Sequence, residues 1–90
     1  MDSAADAADY DAMDHSQVNR QFVLDFLAQH PPTGEILDVG TGTAQIPLEL
    51  CRQRPNARIL AIDLARQMLD VAQQNVDRRG LQRQIRFRGR

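Results

Sequence analysis

The chain has 90 residues, 42% hydrophobic and 26% charged, with a net charge of −1. Ninety residues permit at most one small domain with a modest core, and the composition is ordinary for a globular protein. No run approaches a membrane span, the acidic N-terminus lacks the apolar centre of a secretory signal, and a single cysteine, Cys51, excludes an internal disulfide framework. A reducing, cytoplasmic setting is expected.

Residues 1–15 form an acidic segment rich in Ala and Asp, with Tyr10 its only aromatic. Nothing in its first part buries a face, so partial mobility is expected. Ser16 offers an N-cap, and Val18, Phe22, Val23, Phe26 and Leu27 recur at helical spacing to predict one apolar face. His30-Pro31-Pro32-Thr33-Gly34 stops that helix. His15 and His30 have no metal-ligating partner at suitable spacing on one element, so surface or capping roles and no metal site are expected.

The chain is organised around Glu35-Ile36-Leu37-Asp38-Val39-Gly40-Thr41-Gly42-Thr43-Ala44. An apolar run that ends in Asp and breaks into Gly-x-Gly predicts a buried strand, Glu35–Val39, entering a tight turn. Helical character follows from near Ala44, with Pro47 in the opening turn and Ile46, Leu50 and Cys51 inward. Strand, glycine loop and helix together bring backbone N–H groups and a helix N-terminus to a ligand. The dinucleotide fingerprint G-x-G-x-x-G fails here, because its third glycine falls on Gln45. The pattern that fits has an acid two residues before the first glycine: Asp38, Gly40, Gly42, Ala44.

Arg54-Pro55-Asn56 ends the helix and Ala57–Ile62 predicts a second strand, terminating in Asp63. Asp63 lies 23 residues after Gly40, close to the spacing at which a strand-tip carboxylate takes ribose hydroxyls; a helix N-cap is a compatible alternative. A second loop-following helix is predicted from Leu64 to about Arg79, with Met68, Leu69, Ala72 and Val76 inward and Gly80 as C-cap. Ile85-Arg86-Phe87-Arg88-Gly89 alternates like a third strand. Cys51 reads as a small buried hydrophobe, since no basic group is placed beside it.

The run Leu37–Ala44, together with Ile59-Leu60-Ala61-Ile62-Asp63-Leu64, Met68-Leu69 and Ala72, resembles the class I S-adenosylmethionine-dependent methyltransferases. The resemblance spans residues 35 to 89. Ala44 stands where many members have glycine, a small change because alanine adds only one methyl at a helix start. The resemblance implies a Rossmann-like three-layer α-β-α fold with a parallel sheet, of which the first three strands and three helices lie in this chain. It implies S-adenosyl-L-methionine as cofactor, with Gly40, Thr41 and Gly42 at its methionine portion. Asp38 would orient the loop or the amino group, Asp63 would hold the ribose, and Leu64 and Met68 would line the adenine side. Tyr10 would pack over the cofactor or close the sheet edge.

A complete domain of that class needs four more strands, so residues 16–90 are expected to be its N-terminal portion, truncated and marginal alone. The implied reaction is in-line methyl transfer, with no general base visible and the acceptor, expected to be a small molecule, unidentified. Rival readings are a nicotinamide- or nucleotide-binding oxidoreductase domain and a cofactor-binding module without transferase activity. Residues 1–45 carry eight acids against one arginine (−7) and residues 46–90 ten arginines against four acids (+6). The C-terminal arginines are read as a domain edge in preference to a nucleic-acid contact, because Phe87 is the only aromatic among them.

Overall fold

Three parallel strands, each fed by the helix before it, form the scaffold: α1 (Ser16–Gln29), β1 (Ile36–Val39), α2 (Gln45–Gln53), β2 (Ile59–Ile62), α3 (Arg66–Arg78) and β3 (Ile85–Arg88). The computed structural model describes residues 15–31 and 33–89. The sheet order is β1-β2-β3, with Ile36 opposite Ile59 and Ile59 opposite Ile85. Two successive parallel crossovers in one direction, each right-handed, put α2 and α3 on the same face of the sheet.

Because side chains alternate along a strand, that face receives the rows Ile36–Ile59–Ile85 and Asp38–Ala61–Phe87. Ile59 and Ile85 are fully buried there with Val23, Leu27, Leu48, Leu50, Cys51, Ala72 and Val76. The opposite face carries Leu37 and Val39, 59% and 70% exposed. Two layers of the expected three are therefore present among the described residues, and the sheet's second face is bare.

The observed elements are shorter than predicted at their ends, each for a local reason. Glu35 stays outside β1, its Oε2 held 2.6 Å from Arg86 Nη2 across the sheet. Ala57 spends its N–H on Arg54 O in the turn, so β2 begins at Ile59. His15, not Ser16, takes the N-cap position of α1, without a side-chain cap bond. The helix ends where His30 N–H bonds Phe26 O ahead of Pro31.

The predicted single apolar face of α1 is corrected. Val23 and Leu27 are buried against α2 and Phe26 is half-buried, whereas Val18 and Phe22 are exposed. One residue advances a helix by about 100°, so Val18 and Phe22 stand about 140° round from Val23 and Leu27, too far to share one contact stripe. Gly80, at φ +66°, ends α3 as expected.

Candidate cofactor site

Val39, Gly40, Ile62, Asp63, Leu64, Arg88 and Gly89 line a cleft of about 490 Å³ beyond the carboxyl ends of the strands. A depression of about 560 Å³ lies at the opposite end, among Thr33, Glu35, Arg54 and Arg58. Open parallel sheets bind ligands outside the carboxyl ends of their strands, so the smaller cleft is the candidate site.

The glycine loop that forms one wall is tied down from two sides. Gly40 N–H and Thr41 N–H both donate to Ile62 O, at 2.8 and 3.0 Å. Gly42 N–H donates to Asp63 Oδ2 at 2.7 Å, while Asp63 Oδ1 accepts from Ala65 N–H at 2.9 Å. Asp63 thus joins the loop to the entry of α3. Each of its oxygens keeps a second lone pair for a ligand. These bonds correct one expectation: the N–H groups of Gly40, Thr41 and Gly42 are consumed within the protein rather than offered to a ligand. The acceptor that takes two of them, Ile62 O, is brought there by the β1–β2 register.

Left-handed backbone recurs through the turn, at Gly40 (φ +75°), Gly42 (φ +60°) and Ala44 (φ +71°). Glycine adopts it freely, but for Ala44 it costs roughly 1–2 kcal/mol. The alanine's cost therefore lies in its dihedral angle, not in the volume of a methyl group. On the far side of the loop, buried Asn75 of α3 donates from Nδ2 to Thr43 O at 3.0 Å. Asn75 Oδ1 in turn accepts from Arg78 Nη2. A buried hydrogen bond of this kind contributes roughly 0.5–1.5 kcal/mol, the same size as the strain beside it.

Asp38 sits under the loop, half-buried. Its Oδ2, and the hydroxyls of Thr41 and Thr43, are buried without a well-formed hydrogen bond among the described residues, though the Thr41 hydroxyl lies close enough to the Asp38 carboxyl to favour its charged form. Burial pushes the Asp38 carboxyl above its ordinary value of 3.8; the nearby Thr41 hydroxyl opposes the rise and the Asp63 charge adds to it. With the folded value above the unfolded one, Asp38 contributes its full stability below the ordinary carboxylate range. That contribution is lost as pH rises through the folded value. Asp38→Asn, neutral throughout, is expected to raise the unfolding temperature relative to the parent at pH 7 and to lose that advantage below pH ~3.5. An advantage of equal size at both pH values would remove the carboxyl charge as its cause.

Gly40, Asp63 and Leu64 line the cleft, and Asp38, Thr41 and Gly42 form the loop and strand end behind it. Met68 is buried in the first turn of α3 and is absent from the cleft lining, and Tyr10 lies outside the described residues. Cys51 is buried as expected, and burial pushes its thiol up, away from a reactive thiolate. The strand-end residues Val39, Ile62 and Arg88, to which sequence reading gave no site role, also line the cleft. Asn75 was passed over as well; its one signal is an amide within the stripe of Met68, Ala72 and Val76.

Residues 36–89, most of the chain, match the family described as "Methyltransferase domain". The chain belongs to that methyltransferase family. A release factor glutamine methyltransferase of Chlorobaculum tepidum is 46% identical over 52 residues, 58% of this chain and 18% of the relative. A demethylmenaquinone methyltransferase of Porphyromonas gingivalis is 30% identical over 88 residues, 90% of this chain and 36% of the relative. The solved structure of a candidate S-adenosyl-L-methionine-dependent methyltransferase from Methanococcus maripaludis superposes on the whole chain with a TM-score of 0.89. At 18% identity and 42% coverage of that chain, it shows the Rossmann-like fold. This chain thus spans less than half the length of each of these proteins.

The residues fit the family's cofactor on chemical grounds. S-adenosyl-L-methionine carries an ammonium and a sulfonium at one end and a ribose diol further along. A buried carboxylate oxygen without a partner, Asp38 Oδ2, suits a cationic group, and Asp63 retains acceptor capacity for a diol.

Proposed function

We propose that this chain is the cofactor-binding portion of an S-adenosyl-L-methionine-dependent methyltransferase. One observation carries the reading: the glycine loop spends its N–H groups on Ile62 O and Asp63, and two carboxylates, Asp38 and Asp63, flank it. A loop built for a pyrophosphate needs those N–H groups free; a carboxylate at the tip of the second strand is common to both kinds of site, so the spent N–H groups and Asp38 are what discriminate. A loop backed by carboxylates, with its donors satisfied, favours a cation. Methyltransferase family membership agrees with this, as does the likeness to the N-terminal domain of EvdMO1, a structure described in the presence of SAH and D-fucose (TM-score 0.74, 21% identity, 86% of this chain and 32% of that one).

When bound, S-adenosyl-L-methionine supplies an electrophilic methyl group for in-line displacement by a nucleophile. The chain's part is to hold and align. Asp63 takes the ribose hydroxyls without releasing Gly42, and Asp38, behind the cleft, orients the loop or the methionine amino group, partly through water. The surface of Gly40, Thr41 and Gly42 carries the methionine portion, while Leu64, 76% exposed, gives the adenine an apolar rest and Met68, buried in the first turn of α3, supports that side of the site. Positioning is the main contribution, so the reading asks for no acid or base within this chain.

The named acceptors of the relatives differ, a release factor glutamine in one and demethylmenaquinone in another. The match to the second runs over more of this chain and favours a small molecule, whereas the release factor relatives favour a protein, so the relatives leave the acceptor unidentified. A cytoplasmic setting accords with the buried free Cys51, and no helix among the described residues is long and apolar enough to cross a membrane.

Calorimetric titration of the protein with S-adenosyl-L-methionine, and separately with NAD, tests the proposal. Binding of the first and not the second is expected. Binding of NAD alone would replace this reading with an oxidoreductase domain. Cofactor binding without methyl transfer to any acceptor, in the protein that carries this chain, would leave a binding module.

A further inference from the structure

We propose that Asn75 is a positioning residue for the cofactor loop, acting through the Thr43 carbonyl to hold the Thr43–Ala44 peptide in its left-handed turn. The proposal rests on the reading of the loop as a cofactor site. Asn75 is 6% exposed on a helix face otherwise made of Met68, Ala72 and Val76. A buried amide on such a face is unfavourable unless both its ends are matched. Here Nδ2 donates to Thr43 O, 32 residues away in sequence, and Oδ1 accepts from Arg78, which fixes which end of the amide faces the loop.

The peptide it holds is the one that matters for the turn. Its carbonyl belongs to Thr43, and its N–H, that of Ala44, bonds Thr41 O at 3.1 Å. Rotation of this peptide changes the φ of Ala44, the one non-glycine residue with positive φ among the described residues. The loop is then gripped on opposite sides: Ile62 O and Asp63 at the strand ends, Asn75 from α3. Without Asn75 the strained peptide would be held only by the Ala44 N–H bond to Thr41 O within the loop itself, and its rotation would carry Gly42 away from Asp63.

Asn75→Leu keeps a side chain of similar size and removes the donor. It is expected to weaken S-adenosyl-L-methionine binding about tenfold in calorimetry and to speed hydrogen exchange at the Gly42 and Ala44 amides. Ala44→Gly relieves the dihedral strain, so adding it to Asn75→Leu should restore most of the lost affinity. A merely structural Asn75 would lower the unfolding temperature by the same amount with and without Ala44→Gly, and leave cofactor affinity of the folded protein unchanged. That result overturns the proposal, as does failure of Ala44→Gly to rescue binding. If Asn75→Leu does not fold, Asn75→Ser gives the same comparison with a shorter side chain. Should the unsubstituted protein bind no S-adenosyl-L-methionine, the cofactor reading falls, and exchange at the two amides alone decides whether Asn75 holds the loop.

Discussion

Asp63→Ala is expected to weaken S-adenosyl-L-methionine binding about 100-fold, close to 2.8 kcal/mol at about 1.4 kcal/mol per tenfold. Two losses combine. The substitution removes the acceptor proposed for the ribose diol, and a hydrogen bond to a charged group contributes roughly 1.5–3 kcal/mol. It also strips Gly42 N–H of its 2.7 Å partner and Ala65 N–H of its 2.9 Å partner, so the loop and the entry of α3 lose their common anchor. Asp63→Asn keeps one acceptor oxygen and replaces the other with a donor, which cannot serve both Gly42 and Ala65. An intermediate loss, near tenfold, is expected for it. Calorimetry on the folded variants reads both values. Unchanged affinity in Asp63→Ala would take Asp63 out of the site altogether. Equal loss in the two variants would mean that the diol needs both oxygens and that anchoring the loop adds little.

What the amino-acid order revealed and what it hid divide along a physical line. Gly40 and Gly42 were legible as left-handed positions because glycine after an apolar run has few other uses. Asp63 was legible from its place at a strand tip. Ala44 was not, since alanine is ordinary at a helix start and only the turn geometry gives it φ +71°. The destination of the loop N–H groups was hidden too, because their acceptor is the backbone carbonyl of Ile62, whose side chain says nothing about it. Asn75 was obscured by its neighbours: an amide at position 75, three after Ala72, falls on the apolar stripe and was passed over with it. For α1 the periodicity was right and the width wrong, as a helix resting on one neighbour buries the Val23–Leu27 stripe and leaves Val18 and Phe22 outside.

Ile59→Ala is expected to cost about 2–5 kcal/mol of folding stability, the range for truncating a buried branched side chain whose cavity cannot close. Closure is difficult here. Ile59 is fully buried on the central strand, between Ile36 and Ile85 in register, and its N–H is fixed to Gln84 O at 2.8 Å. Neither flanking strand can move inward without breaking its ladder. Folded domains in general have a total stability of only about 5–15 kcal/mol, so the loss corresponds to a fall of roughly 10 °C or more in unfolding temperature. Leu37→Ala makes the matching control on the other face of the same sheet. With Leu37 59% exposed, most of its surface is already in water, and its truncation should cost less than about 1 kcal/mol. Thermal unfolding of the pair measures how one-sided the core is. A cost for Leu37→Ala equal to that of Ile59→Ala would mean that the face carrying Leu37 and Val39 is packed in solution.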